Sequence, residues 1–309
     1  MKIINNLKIE TPGTNTYYFD LQDYSEDSND EILIYGHDTL ENPPEILNNY
    51  KIKKYLNVTM PTEFCSDQDL YLDDIFDEIY TICPYSCSWL NKLKNINKYK
   101  FIWYPFNKKY IPPKTEKKYD VCYHGGIHGN KHVEMLDIVK NYNYRYISMT
   151  NSINDLTISK LNYATDLNLS NDEKLLRVAE SKISICYNNL PLYSTHINKA
   201  KTKKNWHLNE CFNQINITNH IPQLKSRFIE ASLCRTLNLV EKDNWNVIEK
   251  LYTPNEHFIY FDGNEDLKNK IDTIINNYSD YLQIIEKSFL HSYNNYCTDS
   301  LIKKIKKYE

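Results

Sequence analysis

Apolar runs of four or five residues, separated by stretches of helical spacing, recur along nearly all of the 309-residue chain. No other feature limits the fold as much. In the first part the runs are 31–35 (EILIY), 54–58 (KYLNV), 79–83 (IYTIC) and 101–104 (FIWY). In the second they are 120–123 (DVCY), 144–148, 183–187 (ISICY), 236–240 (TLNLV) and 258–261 (FIYF). Helical patterns lie near 44–49, over 85–94, 132–141, 171–181 and 223–233, and from 265 to the end. Strands alternating with such helices indicate parallel βαβ units. The stretch 107–118 (NKKYIPPKTEKK) is polar, carries a Pro pair and has no hydrophobic period, so it reads as a linker. The sequence predicts an α/β protein with two Rossmann-like lobes, parallel sheets facing a cleft. The lobes span 1–118 and 119–290, and a last helix, 291–309, packs back toward the first. The length suits two domains.

Composition excludes several classes. The net charge of −3 gives no electrostatic footprint for nucleic acid. The basic tail 303–307 reads as the solvated face of a last helix. No apolar run approaches the ~20 residues of a membrane span. The first residues, MKIINNLKIETPG, lack a signal-peptide core, so a cytoplasmic protein is expected. Asn, Ile, Lys and Tyr are abundant, all with AT-rich codons. That bias suits the genome of a large DNA virus or of an AT-rich protist, and a viral protein would then sit in host cytoplasm. Against it, the four arginines among 37 basic residues and the six glycines stand out. The eight cysteines form no CxxC pair and read as reduced core thiols rather than a structural zinc site.

Open parallel sheets bind ligands at the carboxyl ends of their strands, beside helix starts. Two segments occupy such places. YDVCYHGGIHGNKHVEML puts Gly125, Gly126 and Gly129 between a strand and a helix, where the backbone can approach a phosphate. His124, at the strand's end, suits a donor toward phosphate or a sugar hydroxyl, and Lys131 opens the following helix. His124, His128 and His132 are spaced four apart, but the glycines break any helix between the first two, so no metal is expected. The second segment, HIPQLKSRFIEASLCRTLNLVEKDNW, brings Lys225 and Arg227 to a helix start, suited to a diphosphate. Glu230 follows one turn later, where it could accept from ribose hydroxyls, and Glu241 ends the next strand. The polar stretch 188–221 reads as a functional loop, entered from Tyr187. In the first lobe, His37 and Glu63 each follow a strand, where a general base could sit.

These residues also carry a resemblance. LKSRFIEASLCRTLNLVEKDNWNVIEKLYTPNEHFIYFDGNEDLKNKIDTII resembles the C-terminal lobe of GT-B glycosyltransferases, most closely the CgeB-like relatives of glycosyltransferase families 1 and 4. YDVCYHGG and EKLLRVAESKISICYN resemble the strands and helix that come earlier in that lobe. The resemblance covers roughly 120–293. It implies transfer of a sugar from a nucleoside-diphosphate sugar, UDP- or GDP-linked, to a glycan or protein acceptor, with no metal or other cofactor. It carries diphosphate contact to Arg227, ribose contact to Glu230, and the phosphate loop to Gly125 and Gly126. Three places depart from the pattern: Pro222 stands where a second Glu is common, Cys234-Arg235 where the turn after the helix is usually small, and Lys131-His132 near where an arginine is common in the glycine loop. An inactive GT-B scaffold and a sugar-nucleotide epimerase are the alternatives left open.

Overall fold

Five parallel strands build the first sheet: β1 (Lys2–Asn5), β2 (Glu31–Gly36), β3 (Ile52–Asn57), β4 (Glu78–Thr81) and β5 (Tyr99–Phe101). This is a computed structural model, and it describes residues 1–5, 21–36, 45–57, 72–127, 129–148, 162–191 and 220–307. The strands stand in sequence order, so this sheet has no reversal of winding. Parallel strands are covered on both faces, and β2 is accordingly buried at every position. Helices α1 (Leu72–Ile75) and α2 (Pro84–Lys94) accompany the sheet. Proline at the start of α2 suits a position whose N–H would bond to nothing, and Asn95 ends the helix at φ 53. Ile32, Ile34, Tyr55, Phe76, Ile79 and Leu90 form the core. The sequence did not indicate β1: Lys2–Asn5 is short and half polar, and its strand character comes from pairing with β2.

The second sheet has six strands: β6 (Tyr119–His124), β7 (Tyr144–Ser148), β8 (Asp166–Leu167), β9 (Ser181–Cys186), β12 (Leu237–Glu241) and β13 (Ile259–Phe261). Between β9 and β12 a two-stranded ribbon pairs β10 (Asn189–Pro191) with β11 (His220–Pro222). The helices are α3 (Asn130–Val139), α4 (Asn171–Ala179), α5 (Ser226–Leu233), α6 (Gly263–Asn276), α7 (Leu282–Asn295) and α8 (Thr298–Lys307). The strand order is β13-β12-β9-β6-β7-β8, all parallel. Winding reverses between β6 and β9, and the crevice at such a switch point is where doubly wound sheets bind ligands. Ser170 caps α4 in a reciprocal capping box with Glu173. Helix α5 is buried at every residue from Arg227 to Leu233, two of them charged.

The chain divides into two compact units: Met1–Asn107 with Leu190–Leu224 and Thr298–Glu309, and Lys108–Asn189 with Lys225–Cys297. Helix α8 thus belongs with the first sheet, where Lys54 Nζ donates to Ile305 O at 3.2 Å. The polar stretch 107–118 runs along the second unit: Lys117 Nζ donates to the carbonyls of Ala179 and Arg235, both at 2.7 Å. The six described cysteines are free and buried, while Cys65 and Cys211 lie outside the described residues. Among the described residues no helix is long and apolar enough to cross a membrane.

Candidate functional site

At the switch point β6 ends in His124 and turns through Gly125 and Gly126 toward α3. Gly125 has φ 133, which L side chains rarely adopt, and the Arg227 guanidinium occupies the space beside it. A Cβ at Gly125 would fall 2.8 Å from Arg227 Cζ. Tyr123 O–H donates to Gly126 O at 2.7 Å and fixes the turn, while its ring lies 4.9 Å below the guanidinium. Arg227 is buried, yet its Nη1 has no hydrogen-bond partner among the described residues. A buried cation with an open donor, beside a glycine turn and in the first turn of α5, is equipped to hold an anion.

Glu230, one turn further on, is only 2% exposed. His124 Nε2 lies 3.2 Å and Lys174 Nζ 3.1 Å from its Oε2. Burial alone would raise the Glu230 carboxyl, but the Lys174 charge and His124 outweigh it and hold the group well below the ordinary carboxylate value of 4.5. Burial pushes His124 below its usual 6.5 and so keeps the imidazole neutral near pH 7. His124 and Lys174 thus approach Glu230 through Oε2 and keep the carboxylate ionised.

The carboxylate at the carboxyl edge of the sheet is Glu241, at the end of β12 and buried. Lys131 Nζ pairs with its Oε1, and Asn189 Nδ2 donates to Oε2 at 3.1 Å. Tyr187 lies at the end of β9 with its ring 4.8 Å from that of His132, and Lys131 Nζ is 5.9 Å from the Tyr187 ring centroid. Tyr187 Oη, Asn188 Nδ2 and Asp243 Oδ2 are buried without a hydrogen-bond partner among the described residues. Each such group costs about 1–3 kcal/mol unless a ligand or water satisfies it. They follow the carboxyl ends of β9 and β12, on the same edge of the sheet as the His124–Gly126 turn, and suit a polar ligand there.

Of the residues singled out from sequence, the structure thus brings His124, Gly125, Gly126, Lys131, Tyr187, Arg227 and Glu230 to this one edge. Lys225 is half-buried at the N-cap of α5. His37, Glu63 and His128 lie outside the described residues, as does most of the polar stretch 188–221. Lys174 and Asp243 were not indicated by the sequence, and Asn188 only as the first residue of the polar stretch 188–221. Lys174 is drawn in by the packing of α4, and its only sequence mark is a place on a strongly amphipathic helix. Among the described residues no group of three His, Cys, Asp or Glu could hold a metal ion.

No family model and no curated sequence matches the chain. Solved structures do resemble it. HepE from Anabaena, solved with UDP and glucose, is 13% identical, with a TM-score of 0.55 over 89% of this chain and 77% of that one. TarM from S. aureus, solved with UDP, fondaparinux and alpha-GlcNAc-glycerol, is 10% identical, with a TM-score of 0.60 over 94% of this chain. The match spans 57% of the TarM chain. Sucrose-phosphate synthase from Thermosynechococcus elongatus is 10% identical, with a TM-score of 0.56 over 90% of this chain and 72% of that one. At such identities the likeness concerns architecture alone, and the architecture is GT-B: two parallel α/β sheets, one of them doubly wound with its reversal between β6 and β9.

Proposed function

We propose that the chain is a glycosyltransferase that moves a sugar from a UDP- or GDP-sugar to a hydroxyl of a glycan or protein. The observation that carries this reading is Arg227, a buried guanidinium with an open donor against Gly125 at the switch point. The likeness to HepE and TarM, both solved with UDP, supports it and makes UDP the first nucleotide to test. In the reaction the acceptor oxygen bonds to the anomeric carbon as the bond from that carbon to the diphosphate breaks. The hydroxyl proton passes to a base, for which His37 and Glu63 are the candidates. Arg227, Lys225 and the start of α5 neutralise charge on the leaving diphosphate, so the proposed step calls for no metal. Glu230, held ionised by Lys174 and His124, takes the ribose hydroxyls, with Glu241 at the end of the neighbouring strand as the second buried carboxylate of this edge.

A thermal-shift panel of UDP, GDP and their glucose and mannose conjugates tests the reading, since a ligand of the native state raises its melting temperature. The panel should contain a nucleotide that stabilises the protein, and Arg227→Ala should abolish that shift. A full shift in the variant would remove Arg227 from the diphosphate site. Donor turnover that persists in EDTA is the expected outcome for a metal-free step, and its loss there would refute that part.

A further inference from the structure

Arg235 is the residue the proposed reaction leaves unexplained. It follows α5 at φ 53, in the left-handed region, where the hydrogen bonds Arg235 N to Ser232 O and Thr236 N to Ala231 O close the helix end. Glycine takes such positions at least cost, and an arginine kept there points to a use for its side chain. That side chain crosses the Phe289 ring, 3.4 Å from guanidinium carbon to ring centroid, and its Nε lies 3.7 Å from Glu286 Oε2.

Beside it opens a cavity of about 420 Å³, lined by residues of the second unit alone. Three lining residues, Lys117, Ala179 and Arg235, each stand two positions before a strand: β6, β9 and β12, neighbours in the sheet. The cavity therefore lies at the amino edge, about 20 Å of strand away from the carboxyl-edge site. Lys117 closes its floor, with its ammonium donating to Ala179 O, Arg235 O and Thr236 Oγ1. Leu282 and Ile285 of α7 give an apolar wall. The Tyr278 and Thr115 hydroxyls lie in the lining, both buried and without a hydrogen-bond partner among the described residues. Charge in the lining is Lys114, Lys117 and Arg235 against Glu286.

From this combination we infer that the amino edge of the second sheet is a binding site for a small amphipathic organic anion. A carboxylate or phosphate head is held by Arg235 and the Tyr278 and Thr115 hydroxyls, and an apolar body lies against Leu282 and Ile285. The volume falls in the range of roughly 300–1,000 Å³ usual for small-molecule sites. Helix α5 carries Arg227 at one end and runs into Arg235 at the other, about 12 Å of helix apart. The two ligands therefore touch one rigid element from opposite ends.

Calorimetric titration of the full chain with phenyl phosphate and with octanoate, using inorganic phosphate and 1-octanol as controls, tests this site. At least one amphiphile should bind at one per chain, tenfold or more tighter than either control, and the two probes separate a phosphate from a carboxylate head. Arg235→Gly should weaken it at least tenfold without lowering the melting temperature, because glycine relaxes the positive φ. Tyr278→Phe should weaken it severalfold, and Arg227→Ala should leave it unchanged. Binding of neither amphiphile to the wild type, binding retained in Arg235→Gly, or binding lost in Arg227→Ala would each overturn the inference. The last result would place the anion at the carboxyl edge instead, so this site and the nucleotide site stand or fall separately.

Discussion

Gly125 leaves the space that the Arg227 guanidinium fills, so no side chain can be added at Gly125 while Arg227 stays in place. Gly125→Ala forces a side chain into φ 133 and drives its Cβ against Arg227. Nucleotide affinity should fall about tenfold or more, the ~1.4 kcal/mol equivalent of a misplaced charged contact, as measured by titration with the stabilising nucleotide. Glu230 makes a different prediction. Its carboxyl is held below the ordinary value in the folded protein, so the stability it adds is present above about pH 4.5 and lost as pH falls below that. Glu230→Gln leaves the half-buried Lys174 beside a neutral partner and should cost about 1–3 kcal/mol at pH 7. The gap between wild type and variant, read by urea unfolding, should narrow as pH drops from 4.5 toward 3. Arg227 was legible in the sequence because arginine is scarce in this chain and it stands at a helix start after a polar loop. The engagement of Glu230 was not, since Lys174 precedes it by more than fifty residues and only the packing of α4 beside α5 brings them together.

Elements were legible wherever periodicity was strong. The strand 144–148 matches β7 at both ends, and the amphipathic stretch 171–181 is α4 with its last two residues given to the helix end and β9. The weak elements are those made by pairing: β1 and the two-residue β8 have little intrinsic pattern and exist because β2 and β7 present free edges. The polar stretch 107–118 starts where the two units divide, between Asn107 and Lys108, but it is more than a connection. Its lysines suggest a free linker, but burial of Lys117 turns one of them into a staple across the ends of α4 and α5, at the cost of pushing that ammonium down to about 8. Helix α4 also starts on a reciprocal cap, Ser170 with Glu173. Ser170→Ala should lower stability by about 1 kcal/mol, with an unchanged urea m-value. A much larger loss would mean that the cap also holds Lys174 in place.

On the scale of the whole chain, the last helix completes the first sheet, not the second unit that precedes it. Leu301, Ile302 and Ile305 of α8 are buried, and Lys54 of β3 reaches from the sheet to the Ile305 carbonyl. Lys54 is itself 1% exposed and held by Glu31 and Glu78, with Glu78 in turn paired to Lys100. An ammonium this deep persists only while those carboxylates and that carbonyl surround it. The chain therefore leaves its first unit, builds the second, and must return before the first sheet is finished, which couples the two ends of the sequence in folding. Deleting 298–309 removes the apolar cover and one ligand of Lys54 together. The first unit should then melt at lower temperature while the second keeps its own transition, a split visible by scanning calorimetry. Adding Lys54→Met to the full-length chain separates the two causes. If burial by α8 dominates, the methionine variant should lose much less than the truncation, because its thioether can pack where the ammonium was, although Glu31 and Glu78 lose their shared cation. If the ion cluster dominates, the single substitution should cost about 3–5 kcal/mol by itself, and truncation should add little more.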